Sequence, residues 1–359
     1  MHDLNAAPGP DALDELDLAL VNALQLAPRA SWSDLAPVLG AAPATLARRW
    51  RRLTGTGAAW MTGFMGVPQG IPSQVGKAVL VEITVAPGRI PQVIAELSRQ
   101  PNIINIEHLT GGRDLFACVY APDAGRLAHY LQVGLPAVSG ISGIRVQMPL
   151  RLYKDSAAWR LRALDRDQRR QLAELGRVPA LAPFALDADD LAIVEQLGPD
   201  GRVSTAELSR RLGLSGVTVA RRLSRLMGAG YARFRCEVAR SLTGWPCTAT
   251  WWLRVPPDEL DATAAELSGG GDVRMCATVT GPANLILVMY LRSAADAGVL
   301  EADWARRFPR MAVQDSAMTL QVVKCLGRLV DTNGFGTGFV PLGMADEGGA
   351  ERGMASVPA

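Results

Sequence analysis

Near the middle of the chain, apolar residues recur at helical spacing in three short successive blocks. Leu186, Ile193 and Leu197 share one face of the first block, and aspartates in its first turn suit the positive end of a helix dipole. The second block opens with the capping-box sequence Ser-Thr-Ala-Glu at 204–207, and the third, at 215–230, is rich in arginine. Three short helices with a tight glycine-containing turn before the last predict a helix-turn-helix domain.

A second pattern, with strand-like and helix-like segments, covers residues 77–153. Strands are predicted at 77–85, 103–109, 115–120 and 144–153, and helices at 88–99 and 123–133. The order βαββαβ predicts a ferredoxin-like domain, in which the helices cover one face of a four-stranded sheet. The other face, around Leu80 and Glu82, must meet a second sheet or water.

Both patterns occur twice in the chain. Leu13 aligns with Leu186, an offset of 173 that holds without a gap to Trp60. The match resumes at Val85, which aligns with Val255 at an offset of 170. Each copy is much longer than a solenoid unit, so the sequence predicts a duplicated two-domain protein. The second copy can supply the partner sheet, which makes an intramolecular pseudo-dimer the expected architecture.

The outward face of the third helix in each copy carries arginines and hydroxyls. Guanidinium groups neutralise phosphates or bond guanine edges, and short hydroxyls reach base or backbone oxygens. Such a face is common on solvated helices too, but two occurrences in a helix-turn-helix context favour double-stranded DNA as the partner. The candidate DNA-binding residues are Thr45, Arg48, Arg49, Arg51 and Arg52 in the first copy and Ser215, Thr218, Arg221, Arg222 and Arg225 in the second.

The first copy departs from this pattern. Pro37 falls inside its second helix, and Ala42 stands where the second copy has the capping Ser215. Pro43 at the first helical position partly offsets the missing cap. Each helix-turn-helix domain, at 12–60 and 185–235, is called a reading head. We expect the first reading head to be less regular than the second.

Composition narrows the functional classes. The chain has 37 Lys+Arg and 35 Asp+Glu residues, which excludes a uniformly basic coat but leaves room for a local basic face. Five scattered cysteines without a CxxC pair do not form a disulfide framework, and three histidines make a zinc site unexpected, so we predict no metal and no cofactor. Apolar runs far shorter than a bilayer span and an acidic, proline-broken N-terminus predict a soluble cytoplasmic protein with no membrane partner.

Three stretches carry a family resemblance. They are LDxxDxxIVxxL at 186–197, RVSTAELSRRLGLSGVTVARRLSRLMGAG at 202–230, and TGxxD/N-L at 110–115 and 280–285. Nearly the whole chain, twice over, resembles the leucine-responsive regulator/AsnC (Lrp/AsnC) family of bacterial transcription factors. The resemblance implies DNA binding by the first unit of each copy, and dimerisation with small-molecule sensing by the second.

Family members usually carry one copy and dimerise, so this chain looks like a fused pair that can associate further into a homodimer. Its two recognition helices are expected about one DNA turn apart, near 34 Å, or a multiple of it. The resemblance also implies an amino-acid effector at the turns between the second and third strands, which gives candidates Gly111, Gly112, Asp114, Gly281 and Asn284. The alternative is that these are only tight hairpin connections. Asn284 in place of Asp114 removes a charge that could pair a ligand ammonium, so the two pockets should not be equivalent.

Two other functions remain open. Sirohaem decarboxylases resemble these regulators, but this chain reads NIEHLTGGRDLFA at 105–117 and MCATVTGPANLIL at 275–287, without the histidines and arginine of their signature. His108 is the nearby imidazole and is predicted to be a partly exposed strand residue. We therefore expect a protein that is not an enzyme. A scaffold whose reading heads no longer bind DNA is the third possibility.

The predicted class is α+β, a duplicated unit of a winged-helix-like, three-helix helix-turn-helix domain followed by a βαββαβ ferredoxin-like domain. A helix and an extended linker join the copies, the helix being more plausible as a solvated connector than as a DNA contact. The predicted divisions are helix-turn-helix domains at 12–60 and 185–235, ferredoxin-like effector and dimerisation domains at 75–155 and 245–330, the connector at 156–184 and a disordered tail at 331–359.

Overall fold

The computed structural model describes residues 13–66 and 78–343. The first copy comprises α1 (Glu15–Leu26), α2 (Trp32–Leu39), α3 (Pro43–Gly55), β1 (Ala59–Met65), β2 (Ala78–Val85), α4 (Ile90–Ser98), β3 (Ile103–Leu109), β4 (Leu115–Tyr120), α5 (Ala124–His129), β5 (Ile141–Gln147) and β6 (Pro149–Lys154). The connecting helix is α6 (Arg166–Leu175).

The second copy repeats this order, and a hairpin follows it. Its elements are α7 (Ala188–Leu197), α8 (Thr205–Leu212), α9 (Gly216–Gly228), β7 (Ala232–Val238), β8 (Cys247–Arg254), α10 (Leu260–Ser268), β9 (Val273–Val279), β10 (Leu285–Leu291), α11 (Asp296–Arg307), β11 (Ala312–Cys325), β12 (Arg328–Val330) and β13 (Gly336–Phe339). The α+β class with a duplicated helix-turn-helix and ferredoxin-like unit is confirmed. In the described ranges no helix is long and apolar enough to cross a membrane.

The helix ends follow the sequence signals. Asp14 and Asp187 form capping boxes at the starts of α1 and α7. Ser215 caps α9 by accepting a hydrogen bond from the Thr218 amide, whereas Ala42 leaves α3 without a side-chain cap. Helix α2 keeps Pro37 in its interior. The first reading head is therefore less regular at these two points, as expected.

The strand that follows each helix-turn-helix was not predicted. Strands β1 and β7 pair in an antiparallel two-stranded ribbon, with Thr62 opposite Arg235. These two residues occupy equivalent positions in the two copies, so a pseudo-two-fold axis passes through their pair. Helix α1 packs on β7 and α7 packs on β1, so each reading head rests on the strand of the other copy.

Two arginines at equivalent positions join the reading heads. Arg29 Nη1 donates to the carbonyl oxygens of Gly201 and Val203, at 2.8 Å each. Arg202 donates to those of Pro28 (2.6 Å) and Ala30 (2.9 Å). Burial, with Arg29 nearby, lowers the pKa of Arg202 to about 10. Each guanidinium thus bonds the loop that carries the other, and the pair obeys the same pseudo-two-fold symmetry as the ribbon.

The last strand of each ferredoxin-like unit crosses into the other unit. In β11 the first half pairs with β8 of its own copy and the second half pairs with β3 of the first copy. Strands β5 and β6 do the same with β2 and β9. The described strands of both units therefore form one continuous sheet in the order β5-β2-β4-β3-β11-β8-β10-β9-β6.

The inner faces of the two units pack on each other. Leu80 and Phe116 of the first copy lie in one cluster with Trp252 and Ile286 of the second, and the rings of Phe116 and Trp252 are 5.5 Å apart edge to face. The second copy thus covers the face around Leu80 that the sequence analysis left open, which gives the intramolecular pseudo-dimer.

Equivalent lysines at the ends of the crossing strands bind the opposite copy. Lys324 Nζ donates to the carbonyl oxygen of Gln100 (2.8 Å), and Lys154 Nζ donates to that of Gly270 (2.7 Å). Lys324 is completely buried, and this burial lowers the pKa of its ammonium group to about 8. The crossing is therefore secured at both ends by a polar contact between the copies.

Helix α6 docks on the first reading head through Leu172, which is fully buried, and through Gln168 Nε2, which donates to the Val38 carbonyl oxygen at 3.0 Å. Its arginines Arg166, Arg169 and Arg170 are exposed, so the connector has one docked face and a solvated outer face. One prediction about the connections is wrong. The tail is not disordered over residues 331–343, because β13 pairs with β12 and the Gly336 amide donates to the Gly57 carbonyl oxygen at 2.8 Å. Backbone pairing rather than an apolar stripe orders this segment, so hydrophobic periodicity could not reveal it. The rest of the predicted tail, 344–359, lies outside the described residues.

Replacing either bridging arginine should weaken the reading heads as a pair. We expect Arg29→Ala and Arg202→Ala each to lower the free energy of unfolding by about 1–3 kcal/mol, because each leaves two carbonyl groups without a charged donor. Urea unfolding followed by circular dichroism measures the change. Arg177→Ala, on a largely exposed side chain just after α6, is the matched control and should change the value by less than about 0.5 kcal/mol. Equal stability of all three variants would contradict the bridging role.

Candidate DNA-binding surface and effector turns

Three of the predicted arginines are free on the surface of the reading heads. Arg48 and Arg51 on α3 and Arg221 on α9 are exposed, and none makes a hydrogen bond or ion pair within the described part of the chain. Val217, at the start of α9, is an apolar side chain that is 80% exposed. Free guanidinium groups beside an exposed apolar residue are suited to phosphates and to a thymine methyl group.

Arg49 and Arg222 are not free on the outward face, although the sequence analysis placed them among the candidate DNA-binding residues. Their side chains form ion pairs inside each helix-turn-helix unit. Arg222 bonds the aspartates at the start of α7, with Nη1 at 2.8 Å from Asp187 and 2.9 Å from Asp190. Arg49 makes the equivalent contacts, 2.6 Å to Asp14 and 2.9 Å to Asp17. These two arginines therefore tie the third helix of each head to the first helix. The backbone amide of Asp190 and the Arg222 guanidinium hold the pKa of the Asp187 carboxyl below its usual range.

Arg52 and Arg225 are also engaged, but they stay accessible. Arg52 pairs with the buried carboxylate of Asp17. Arg225 stacks on Phe184, with its guanidinium carbon 3.4 Å from the ring centroid. Both side chains keep contact with solvent, so they can move to a phosphate only by giving up these partners.

The predicted hydroxyl residues sit at the start of the recognition helices. Ser215 Oγ lies 2.8 Å from Thr218 Oγ1 and accepts the Thr218 amide at 3.1 Å, so both hydroxyls already belong to the cap of α9. Thr45 occupies the corresponding turn of α3, where Ala42 supplies no hydroxyl. The two heads therefore present different polar groups at the same point.

The two glycine turns are tight hairpin connections whose polar side chains bond the backbone. Asp114 Oδ2 accepts the Val85 amide at 2.7 Å. Asn284 bonds both polar groups of Val255, accepting its amide at 2.9 Å and donating to its carbonyl oxygen at 2.8 Å. Gly111 and Gly281 adopt positive φ (93° and 116°), a conformation that glycine allows without strain. Gly112 completes the first turn, and a Cβ atom added at this position would have no neighbour within 4 Å. The side-chain groups proposed for an effector are thus occupied by the fold.

A charged cluster beside the first turn was missed by the sequence reasoning. Arg113 is buried, with Nε 2.9 Å from Glu82 and Nη2 2.8 Å from Asp315 of the second copy. Its guanidinium carbon lies 3.6 Å above the Trp252 ring. Glu82 and Arg113 are brought together within the first copy, but only packing between the copies adds Asp315 and Trp252, and no local motif signals it.

Within the described ranges, the potential metal ligands are scattered and two of the cysteine thiols are protonated. There, no group of three or more His, Cys, Asp or Glu side chains could hold a metal ion. Burial raises the pKa of Cys118 and of Cys276 to about 12, which keeps both thiols protonated.

Paired helix-turn-helix units carried by ferredoxin-like domains are the architecture expected of Lrp/AsnC regulators, and comparisons with known proteins support this family. The AsnC-type helix-turn-helix domain matches residues 13–54 and 186–227, and the Lrp/AsnC ligand binding domain matches residues 78–159. The HTH-type transcriptional regulator Rv2324 of Mycobacterium tuberculosis is 30% identical over 40% of this chain and 97% of its own length. AldR of Mycolicibacterium smegmatis is 30% identical over 38% of this chain and 80% of its own. The chain belongs to the Lrp/AsnC family of transcriptional regulators and carries its unit twice.

The prediction that the chain is not an enzyme is overturned. A solved structure of the siroheme decarboxylase NirDL, in co-complex with an iron-uroporphyrin III analogue, matches 87% of this chain and 93% of its own with a TM-score of 0.55. The sequence identity is 14%, so the likeness shows a shared fold alone. An enzyme therefore exists on the same whole-chain architecture, and neither the fold nor the duplication excludes catalysis.

Neighbouring arginines on α9 should respond differently to substitution. We expect Arg222→Gln to lower the midpoint of thermal unfolding by a few degrees, because it leaves the buried Asp190 without its partner. Arg221→Gln, one residue away and exposed, should leave the midpoint unchanged. Differential scanning calorimetry measures both, and a larger shift for Arg221→Gln would refute the division of roles.

Proposed function

We propose that the protein is a sequence-specific, double-stranded-DNA-binding regulator whose two recognition helices, α3 and α9, act together as a covalent pseudo-dimer. The observation that carries this proposal is the pair of exposed faces bearing Arg48, Arg51 and Arg221, held about one pseudo-two-fold axis. Antiparallel pairing of β1 with β7 and the reciprocal Arg29 and Arg202 contacts leave the heads little freedom to separate. Heads fixed in this way match two half-sites at a set spacing, which we place at about 34 Å or a multiple of it.

The operator should be an imperfect palindrome. Arg48 and Arg221 are equivalent, so both half-sites receive one arginine at the same place. Arg51 has Ser224 as its counterpart, and Val217 has Ala44, so the remaining contacts differ between the heads. A homodimer reads identical half-sites, whereas this chain is built to read two related but unequal ones.

Modulation by a small molecule is the second part of the proposal, supported by the match to the ligand-binding domain at 78–159. An amino acid at Gly111, Gly112, Asp114, Gly281 and Asn284 would have to use main-chain groups, because the Asp114 and Asn284 side chains are bonded to Val85 and Val255. Association of two chains into a further homodimer remains a proposal as well.

Charge removal from the free arginines tests DNA binding. We expect Arg48→Gln with Arg51→Gln, and separately Arg221→Gln, to weaken binding to a mixed-sequence duplex. The salt slope should fall by about one for each phosphate that the variant no longer neutralises. Fluorescence anisotropy across a salt series measures both quantities.

Arg306→Gln, on an exposed side chain of α11, removes the same charge far from the heads and serves as the control. Affinity and salt slope that are the same in the head variants and in the wild type would refute the assignment. Selection from a random-sequence library then tests the unequal half-sites, and a perfect palindrome would contradict them.

A decarboxylase is the second candidate, favoured by the whole-chain likeness to NirDL. The test is to incubate the protein with sirohaem and to measure both the carbon dioxide released and the mass of the tetrapyrrole product. Loss of 44 mass units per carboxyl group, roughly the mass of one carbon dioxide, would establish this activity by the general balance of a decarboxylation. His108→Ala is the informative variant, since His108 lies half-buried on β3. Unchanged substrate after prolonged incubation would remove this candidate and leave the DNA proposal untouched.

A further inference from the structure

A cavity lies where the β1–β7 ribbon meets the ferredoxin-like sheets, and none of the sequence motifs explains it. Its volume is about 190 Å³. That is roughly the space of six water molecules. The walls come from β1, β7, β8, β9, β11 and the loop after β12, so both copies and the ordered part of the tail contribute.

Two guanidinium groups line the cavity without a complete set of partners. The Arg274 side chain is 8% exposed, and its nearest carboxylate oxygen, on Glu237, is 3.8 Å away, which is too far for a hydrogen bond. Arg240 makes no side-chain hydrogen bond or ion pair with any described residue, and burial lowers the pKa of its guanidinium. Their guanidinium carbons lie 4.0 Å (Arg240) and 5.0 Å (Arg274) from the centroid of the Tyr290 ring.

Each of the carboxylates near the cavity already accepts hydrogen bonds from another donor at one of its two oxygens. Glu237 bonds Arg235, and Glu107 accepts a hydrogen bond from Thr319 Oγ1 at 2.8 Å. Asp331 caps its own turn by accepting two backbone amides, at 2.9 and 2.8 Å. Glu237 and Asp331 face the cavity as well, and Glu237 and Glu107 partly offset the charge of Arg240. Among the described residues, no carboxylate forms a close bidentate pair with either arginine, so both guanidinium groups keep N–H groups available to an anion. A charged donor with incomplete partners favours an anionic acceptor, so these two guanidinium groups would stabilise a carboxylate that entered the cavity.

Another wall of the cavity is apolar. Trp60, Cys325 and Val330 form a small buried cluster there, with Val322 packed against it. Pockets for small molecules combine mostly apolar walls with a few convergent polar groups. The lining therefore fits a molecule with one anionic end and a compact apolar body.

We propose that this cavity is a binding site for a small organic carboxylate, with the carboxylate on Arg240 and Arg274 and the apolar body against Trp60, Cys325 and Val330. Arg274 corresponds to Ile104 in the first copy, so the first copy lacks one of the two arginines that define the site. The proposal does not depend on DNA binding. It places the site against β1 and β7, the strands on which both reading heads rest.

Benzoate is a suitable probe, because an engineered cavity of about 150 Å³ holds benzene. We expect isothermal titration calorimetry to give a Kd on the order of 1 mM for benzoate, as for a weak ligand of this size. Benzamide, its neutral isostere, and inorganic phosphate, an anion without an apolar body, should bind at least about tenfold more weakly. Absence of benzoate binding, or equal binding of benzamide, would overturn the proposal.

Arginine variants locate the carboxylate. Arg274→Gln and Arg240→Gln should each weaken benzoate binding about tenfold, the effect expected from removing one charge-assisted hydrogen bond. Arg306→Gln should leave binding unchanged, and circular dichroism checks that every variant is folded. If Arg274→Gln does not fold, Arg240→Gln, on a partly exposed side chain, still decides.

A crystal of the wild-type protein soaked in 4-bromobenzoate gives a second readout. A bromine anomalous peak inside the cavity supports the proposal. A peak only at other places on the molecule refutes it.

Discussion

Antiparallel pairing of β1 with β7 is the contact on which the arrangement of the reading heads depends. Thr62 and Arg235, equivalent residues, face each other at its centre, so the pairing register itself defines the pseudo-two-fold axis. Because α1 packs on β7 and α7 on β1, a shift in this register would move both helix-turn-helix units together. Arg29 and Arg202 then bond the loop of the opposite head at two carbonyl groups each. Neither reading head has a complete fold without the strand of the other copy.

The ferredoxin-like units are also completed by strands of the opposite copy, but through different contacts. Their final strands cross from one copy to the other, and Lys154 and Lys324 fasten the ends of the crossing. Leu80, Phe116 and Trp252 then fill the space between the inner faces. Each half of the molecule is thus completed by backbone pairing with the other half, and separation would expose unpaired strand edges. Fusion of two copies in one chain makes this exchange intramolecular, so it does not depend on protein concentration.

The helices and sheet strands were predictable because their signals are local. Capping residues such as Asp187 and Ser215, and alternation in segments such as 103–109, mark each element within a few residues. Strand β1 and the ribbon were not, because their order comes from backbone pairing between residues more than 160 positions apart. The β12–β13 hairpin is local, but its strands are short, and the glycine-rich β13 carries no apolar alternation that would signal it. The candidate DNA-binding surface also depends on contacts that local sequence signals do not reveal. Spacing placed Arg49 and Arg222 on an outward face, but it could not show that carboxylates at the start of α1 and α7 lie within reach.

Duplication within one chain lets the two copies carry different residues at equivalent positions, which a homodimer cannot do. Arg113 lies between Glu82 and Asp315, above Trp252. In sequence, Asp315 is the counterpart of Arg145 and Trp252 is the counterpart of Glu82. A homodimer of the first copy would therefore set Arg145 against Arg113 and a second Glu82 in place of the indole ring. The Arg113–Asp315 ion pair and the ring stacked on Arg113 depend on positions at which the copies have diverged. Divergence at other positions gives the unequal reading heads and the cavity lined by Arg240 and Arg274.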